Sequence, residues 1–229
     1  MALSHSPSIV TDGLVLCLDA ANRKSYPGTG TVWNNMVGNV GATFQNGPTF
    51  NSSNLGTVSF DGTDDQIPFF APNLSSVATV EMWAKIGDNW TSGRMFFGWN
   101  LYDVWTGNFS SIGFNTANGD VYGIPSATLT PLNIVNNWKH YVFVMRTDVS
   151  YTNNKIYING QSFSLSQIQS GENGGARSFN SGNGQIGNWL ATSGYNMQMD
   201  CSIFNVYNKE LSPQEVVQNF NALRGRFGI

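Results

Sequence analysis

Three carboxylates lie within five positions of the segment SFDGTDDQI, residues 59–67. Asp61, Asp64 and Asp65 surround one glycine, and carboxylate oxygens are the ligands that calcium prefers. The same residue types also form tight turns, in which Asp side chains accept hydrogen bonds from backbone N–H groups. Calcium needs six to eight oxygens, which Asp64 and Asp65 alone do not supply. The spacing therefore favours a turn and leaves a calcium site open.

Residues for acid–base or nucleophilic catalysis are few in this sequence. A glycosidase needs two carboxylates that flank the scissile bond, but Glu81 is the only glutamate on a predicted central strand. The two histidines are His5, in an N-terminal arm, and His140, at strand spacing in WKHYVFV, where we expect packing at a sheet surface. No GxSxG motif occurs, and two Cys with two His are too dispersed to bind zinc. The sequence therefore predicts that the protein is not an enzyme.

A second candidate site is the segment DNWTSGRMFFGWNLYDVWTGN, residues 88–108, which is rich in aromatic side chains. Exposed aromatic rings can stack on a sugar ring or anchor a protein partner, and Asn and Asp side chains can bind sugar hydroxyls. Packing in the core is the alternative interpretation of the same rings. The candidate ligand- or partner-binding residues are Trp90, Trp99, Asn100, Tyr102, Asp103 and Trp105.

The composition favours strands and turns over helices. Charged residues make up 11% of the 229 residues, against an average near 25%, and Gly, Asn, Ser and Thr take their place. The net charge of −3, with no basic patch, predicts no nucleic-acid partner. No segment approaches a transmembrane run, so we expect no membrane contact. The first ten residues lack the pattern of a signal peptide, which favours synthesis in a cytoplasm.

Alternating apolar and polar residues between Gly, Asn and Pro predict β-strands. The predicted strands cover residues 13–20, 57–62, 78–86, 138–147, 154–161, 182–189 and 197–208, with three short strands at 94–100, 110–116 and 119–125. One helix is predicted in LSPQEVVQNFNALRG, where Ser212 caps, Pro213 takes the first position, Glu215 completes a capping box and Gly225 ends the run. We therefore predict an all-β antiparallel two-sheet sandwich, with the helix covering an edge or a seam.

The order of several motifs resembles that of the laminin-G-like, concanavalin A-like lectin jelly roll. The motifs are SFDGTDDQI, ATVEMWAKI, WKHYVFVMRTDVSYTNNKIYINGQ, GNGQIGNW and IFNVYNKELSPQEVVQNF. The resemblance covers residues 12–225 and implies one domain between an arm, residues 1–11, and a tail, residues 226–229. It also implies that the first and last strands are close, so we expect Cys17 and Cys201 to be near neighbours in the core.

The same resemblance bears on the calcium site. Laminin-G-like domains often bind one calcium ion at the rim, and many relatives carry acidic residues in the last strand. Here that stretch reads Cys201-Ser202-Ile203-Phe204, so the acids are absent, and Asp200 is the candidate to replace them. The metal ligands that the resemblance implies are therefore Asp64, Asp65 and Asp200.

Two end segments are similar to structural proteins of tailed bacteriophages, particularly marine and cyanobacterial ones. These segments are residues 9–33 and 219–229, together with the short stretch NGPTF. The resemblance implies a non-enzymatic virion protein, either a capsid decoration protein or the knob of an appendage, whose partners are other capsid or tail proteins. The alternative is a lectin that binds a host or environmental glycan, and a homo-oligomer stays open. The arm and the tail are the candidate docking elements.

Overall fold

The computed structural model describes residues 7–91, 93–107, 110–116, 119–169, 175–190 and 194–229. Residues 1–6 of the predicted arm, with His5, lie outside the described residues. The helices are α1 (Ser126–Leu129) and α2 (Pro213–Phe227). In chain order, the strands are β1 (Leu14–Asp19), β2 (Val32–Trp33), β3 (Ala42–Thr43), β4 (Thr49–Asn51), β5 (Thr57–Asp61), β6 (Ile67–Phe70), β7 (Val77–Ile86), β8 (Arg94–Trp99), β9 (Tyr102–Thr106), β10 (Ile112–Thr116), β11 (Val121–Ile124), β12 (Lys139–Arg146), β13 (Lys155–Ile158), β14 (Gln161–Phe163), β15 (Ser166–Gln169), β16 (Asn183–Ile186) and β17 (Gln198–Tyr207).

Two large antiparallel sheets form the sandwich. The first sheet has the strand order β14-β13-β12-β7-β17-β5-β4, and β1 pairs with the second half of β17. The second sheet has the order β15-β11-β10-β9-β8-β16-β6, and β2 and β3 form a separate small ribbon. This architecture, with its C-terminal helix, confirms the predicted jelly-roll fold class. The prediction missed β9, because it left residues 101–107 between two predicted strands unassigned.

The core lies between the sheets, since alternation along each strand sends every second side chain inward. In β7 the inward side chains are those of Val80, Met82 and Ala84, all fully buried. The intervening side chains of Glu81 and Trp83 point to the outer face, where α2 covers them and they are also fully buried. The first sheet is therefore buried on both faces at this strand.

Helix α2 lies on the outer face of the first sheet, not on an edge or a seam as predicted. Its capping box is present: the Ser212 hydroxyl accepts from the Glu215 backbone N–H, and the Glu215 carboxylate accepts from the Ser212 N–H. The predicted end at Gly225 is wrong, because the helix continues to Phe227. The ring of Phe227 stacks on Trp83 with centroids 4.2 Å apart, and this contact holds the last turn against the sheet.

The predicted tail, residues 226–229, overlaps the last turn of helix α2, which ends at Phe227. The Arg226 guanidinium donates to the Asp19 carboxylate at 2.8 Å and to the carbonyl oxygens of Asn54 and Gly56. At the other end of the chain, Val10 is buried and its backbone bonds to helix α2. Val10 and Arg226 therefore anchor the two ends of the chain to the sandwich.

Both cysteines are free and buried. Cys17 in β1 and Cys201 in β17 belong to neighbouring strands, but Cys17 pairs with Asn205, four positions along from Cys201. Cys201 packs in the core between the sheets, whereas the inward residues of β1 are Leu16 and Leu18, which places Cys17 on the outer face. The expectation of neighbouring thiols in the core is therefore wrong, because a sheet separates them. None of the described helices is long and apolar enough to cross a membrane.

Candidate functional site

An open pocket of about 350 Å³ lies on the outer face of the second sheet. We call it the aromatic pocket. Its described lining residues are Met95, Asn100, Leu101, Trp105, Asn115, Thr116, Gly119, Trp189 and Tyr195.

Strand alternation explains which residues of β9 reach this pocket. Tyr102 and Val104 point inward and are fully buried in the core. Asp103 and Trp105 therefore point to the outer face, beside the outward residues of β8 and β10. Trp105 is half-buried, which leaves part of its ring available to a ligand.

Three aromatic rings form one wall of the pocket. Tyr195 lies between two tryptophans, with its centroid 5.9 Å from that of Trp105 and 5.6 Å from that of Trp189. The Trp189 indole N–H donates to the backbone carbonyl of Asn100 at 3.1 Å, which ties the segment before β17 to the β8–β9 turn. The rings are thus held at fixed angles, and such half-exposed aromatic surfaces can stack on the apolar face of a sugar ring.

The polar floor of the pocket is positioned by two buried carboxylates. Asn115 donates from Nδ2 to both oxygens of Asp103, at 3.2 Å each. One oxygen of Asp120 accepts from the Thr116 hydroxyl at 2.6 Å and from the Thr116 backbone N–H at 3.0 Å. Asn115 is 7% exposed, and its Oδ1 has no hydrogen-bond partner among the described residues. The floor therefore presents the Asn115 amide, which Asp103 holds from below.

The Asp103 carboxyl is 1% exposed and does not line the pocket. Burial raises its pKa well above the ordinary value, the Asn115 hydrogen bond opposes that rise, and the charge of Asp120 adds to it. Gly98 makes room for Asp103, since a Cβ at position 98 would lie 2.0 Å from the Asp103 Cβ. Asp103 thus supports Asn115 from beneath and has no contact with the pocket opening.

The structure separates the residues predicted from the aromatic segment into three places. Asn100 and Trp105 line the aromatic pocket, and Asp103 supports its floor. Trp99 and Tyr102 are core residues with no exposed surface. The remaining one, Trp90, lies with Leu129, Ile134 and Val135 in a second pocket of about 380 Å³.

Sequence analysis missed Trp189, Tyr195 and Asn115. Trp189 and Tyr195 lie more than 80 positions after Trp105. The pairing of β16 with β8 and the backbone bridge between Met95 and Asn196 bring them to the same face. The available signal was their chemistry: like the segment 95–102, the segment 178–199 combines aromatic residues with a complete absence of charge.

The acidic turn brings three carboxylates together. Ligand oxygens of Asp61, Asp64 and Asp65 lie within 4.8 Å of one another. The Asp65 carboxylate accepts from the Asp61 backbone N–H at 2.8 Å, and Asp61 accepts from the Thr63 N–H at 2.7 Å. Gly62 has a φ of 81°, the conformation that glycine adopts without strain. Burial raises the pKa of Asp65, and the Asp61 hydrogen bond partly offsets that rise.

Asp200 is not part of this cluster. Its carboxylate contacts the Lys85 ammonium at 2.7 Å and accepts from the Ser59 hydroxyl at 2.6 Å. With one ligand oxygen from each residue, Asp61, Asp64 and Asp65 supply three of the six to eight oxygens of a calcium site. Two of them already accept backbone N–H groups. The turn is thus accounted for by its own hydrogen bonds, and calcium binding stays a prediction.

His140 is fully buried beneath helix α2 and does not lie at an open sheet surface. Its Nε2 lies 2.8 Å from the Glu81 carboxylate, which is also fully buried. The other Glu81 oxygen accepts from Asn205, Tyr207 and Asn219. This network joins the first sheet to α2, and no described pocket opens onto it.

Comparisons with known proteins agree with the fold. The model of a laminin-G family, described as the concanavalin A-like lectin/glucanases superfamily, matches residues 61–217. Among solved structures, a sialidase from Trypanosoma rangeli in complex with sialic acid superposes with a TM-score of 0.67 at 14% identity, over 97% of this chain and 36% of that chain. The receptor-binding domain of botulinum neurotoxin C/D mosaic serotype superposes with a TM-score of 0.62 at 13% identity, over 92% of this chain and 51% of that chain.

These structural likenesses show a shared fold. The chain spans about half of the toxin domain (51%) and about a third of the sialidase (36%). A search of curated proteins gives no significant match.

Proposed function

This chain belongs to the concanavalin A-like lectin/glucanases superfamily, and from that premise we propose that it is a non-catalytic adhesive module that binds carbohydrate in the aromatic pocket. The observation that carries the proposal is the pairing of Trp105, Trp189 and Tyr195 with a floor of Asn115 and Thr116. The rings supply stacking surface, and the Asn115 amide supplies directional hydrogen bonds. A sugar ring presents the matching apolar face and hydroxyl edge.

The size and rigidity of the pocket support this proposal. A volume of about 350 Å³ lies at the lower end of the range of roughly 300–1,000 Å³ for small-molecule sites, which suits a short oligosaccharide. The floor is held by buried carboxylates and the wall by the Trp189–Asn100 hydrogen bond. A site fixed before binding loses little side-chain entropy when the ligand enters.

The chemistry of the pocket supports binding without bond cleavage. Glycoside hydrolysis needs two carboxyl groups facing the scissile bond, about 5–10 Å apart. The described lining residues include no Asp, Glu, His or Cys. Asp103 and Asp120 are buried below the floor, where their oxygens already accept hydrogen bonds from Asn115 and Thr116.

Isothermal titration with the glycans selected on an array tests the proposal. We expect Trp189→Ala to weaken binding at least about 10-fold, which corresponds to about 1.4 kcal/mol. Trp90→Ala is the matched control, because Trp90 is also half-buried but lies in the other pocket. Unfolding curves of both variants verify that the fold is kept. Binding lost equally in both variants, or no glycan bound by the wild type, would refute the proposal.

A second candidate function is a structural role in a bacteriophage particle. The segments that resemble phage structural proteins, residues 9–33 and 219–229, pack together: Arg226 bonds to Asp19 at 2.8 Å, and Asn219 accepts from the Val10 N–H at 2.7 Å. Residues 9–33 supply β1 of the first sheet, and residues 219–229 belong to the helix on its outer face and the residues after it, whereas the aromatic pocket opens from the second sheet. This separation supports a capsid decoration protein or appendage knob, added to the particle in the host cytoplasm, that is mounted by one face and binds glycan with the other.

Mass spectrometry of purified particles tests the structural role. The proposal expects the protein to co-purify with particles through a density gradient in a fixed number of copies. Its absence from particles would refute the structural role and leave carbohydrate binding untouched.

A further inference from the structure

The aromatic pocket has no charged side chain among its described lining residues. The absence extends to the chain segments that supply those residues. Residues 95–102, 104–119 and 178–199 contain no Asp, Glu, Lys, Arg or His. Any side chain that these segments place around the opening is therefore uncharged. Charged residues make up 11% of the protein. Because three uncharged segments meet at this site, the described part of its surface is polar and aromatic but carries no charge.

The charges closest to the floor are acidic. Asp103 bonds to Asn115 and Asp120 bonds to Thr116, so a carboxyl group lies directly behind each polar floor residue. Burial and the neighbouring Asp120 raise the pKa of Asp103, which is consistent with a site whose environment disfavours negative charge.

The two cations that flank the uncharged segments are used elsewhere. Arg94 donates to the backbone carbonyls of Gly194, at 3.0 Å, and Asn89, at 3.4 Å. Arg177 donates to the backbone carbonyl of Arg146 and lies over the ring of Tyr102, on the core side of the sheet. Neither is a lining residue, so the pocket lacks the guanidinium group with which proteins most often bind carboxylates.

We infer that the aromatic pocket selects neutral sugars and rejects sugars that carry a carboxylate or a sulfate. The inference rests on the proposed carbohydrate binding and names its ligand class. Stacking on Trp105, Trp189 and Tyr195 is indifferent to ligand charge, whereas an anionic group would lose water against described lining residues that offer it no ion pair. Discrimination thus comes from the lack, among these residues, of a cation that could pair with the anion.

Matched pairs of oligosaccharides that differ by one sialic acid or one sulfate test this selectivity by isothermal titration. We expect the neutral member of each pair to bind at least 10-fold more tightly. We also expect the affinity for it to change less than 2-fold between low and high salt, since no ion pair is screened. Tighter binding of the acidic member would overturn the inference and leave the proposed function standing. No binding of either member would instead refute the proposed function.

A designed gain of binding gives an independent check. Leu101 lines the pocket and is partly exposed, so Leu101→Arg would place a cation at the opening without cutting into the core. We expect this variant to bind the acidic member at least 10-fold better than wild type, with an affinity that falls as salt rises. Leu101→Gln is the control, because it adds a polar group without charge. Equal behaviour of the two variants would contradict the electrostatic origin of the selectivity.

Discussion

Replacement of Asn219 by alanine tests how helix α2 is fastened to the first sheet. The Asn219 side chain is fully buried and bonds to three separate parts of the fold. Its Oδ1 accepts from the Val10 backbone N–H at 2.7 Å, and its Nδ2 donates to the Glu81 carboxylate at 2.9 Å and to the Tyr207 hydroxyl at 3.0 Å. One amide thus joins the N-terminal segment, the helix and two strands.

The cost of Asn219→Ala can be estimated from the groups it leaves behind. The Val10 N–H loses its acceptor, and an unsatisfied buried donor costs about 1–3 kcal/mol. Glu81 loses one donor, and a hydrogen bond to a charged group contributes about 1.5–3 kcal/mol. Glu81 keeps the donors Asn205 and Tyr207. Taking the lower half of each range, we expect the free energy of unfolding to fall by about 3 kcal/mol. In a chain of this size that corresponds to a Tm lower by roughly 6–12 °C.

Urea unfolding followed by tryptophan fluorescence and by circular dichroism measures this loss. Val217→Ala is the matched control on the same helix, since Val217 is 42% exposed and surface changes usually stay within about 0.5 kcal/mol. Asn219→Asp should cost more than Asn219→Ala, because it places a second carboxylate beside Glu81. A loss below about 1 kcal/mol for Asn219→Ala, or a loss equal to that of the control, would refute this account of the network.

Three further predictions concern the pocket floor and the acidic turn. Asp103 has a raised pKa in the folded state, so its contribution to stability is full below pH 4 and is lost as pH rises. Asp103→Asn should therefore gain stability relative to wild type between pH 4 and pH 7. A difference in unfolding free energy between the two proteins that does not depend on pH would contradict this. Gly98→Ala should lower the free energy of unfolding by about 2 kcal/mol, because it forces β8 and β9 apart at Asp103. Gly225→Ala in α2, where a Cβ meets nothing within 4 Å, should instead raise it by about 0.5–1 kcal/mol in the same urea titration. One millimolar calcium should raise the Tm by no more than about 1–2 °C. The reason is that a ligand with a Kd of 1 mM or weaker stabilises the folded state by at most about 0.4 kcal/mol at this concentration. A rise of several degrees that Asp65→Asn abolishes would establish a calcium site.

Local signals in the sequence were enough to predict the start of helix α2 but not its end. Ser212, Pro213 and Glu215 are neighbours in the chain, and their capping interactions involve only each other. The stop assigned to Gly225 failed because the last turn is stabilised by distant residues. Phe227 stacks on Trp83, more than 140 positions earlier, and Arg226 bonds to Asp19. Contacts of this kind outweigh the roughly 1 kcal/mol cost of a glycine within a helix.

The cysteines show the same difference between what local sequence signals predict and what distant contacts determine. Sequence order and the resemblance to a jelly roll placed the Cys17 and Cys201 strands together, and the two strands are indeed paired. The face to which each thiol points depends on register and on the irregularity in β17 between Cys201 and Ile203. An irregularity of one residue reverses the faces of all the residues that follow it in a strand. Sequence alone carried no sign of it.

Only part of the candidate site could be predicted, because the pocket consists of two halves that are remote in the chain. Asn100, Asp103 and Trp105 come from β9 and the turn before it, and their aromatic and polar types drew attention to them. Their division among pocket, floor and core required knowing that β9 is a separate strand, since its alternation sends Tyr102 inward and Trp105 outward. Trp189 and Tyr195 reach the pocket through long-range backbone pairing, of β16 with β8 and of Asn196 with Met95. The aromatic wall built from both halves exists only once the second sheet has formed, so no local stretch of the sequence contains it.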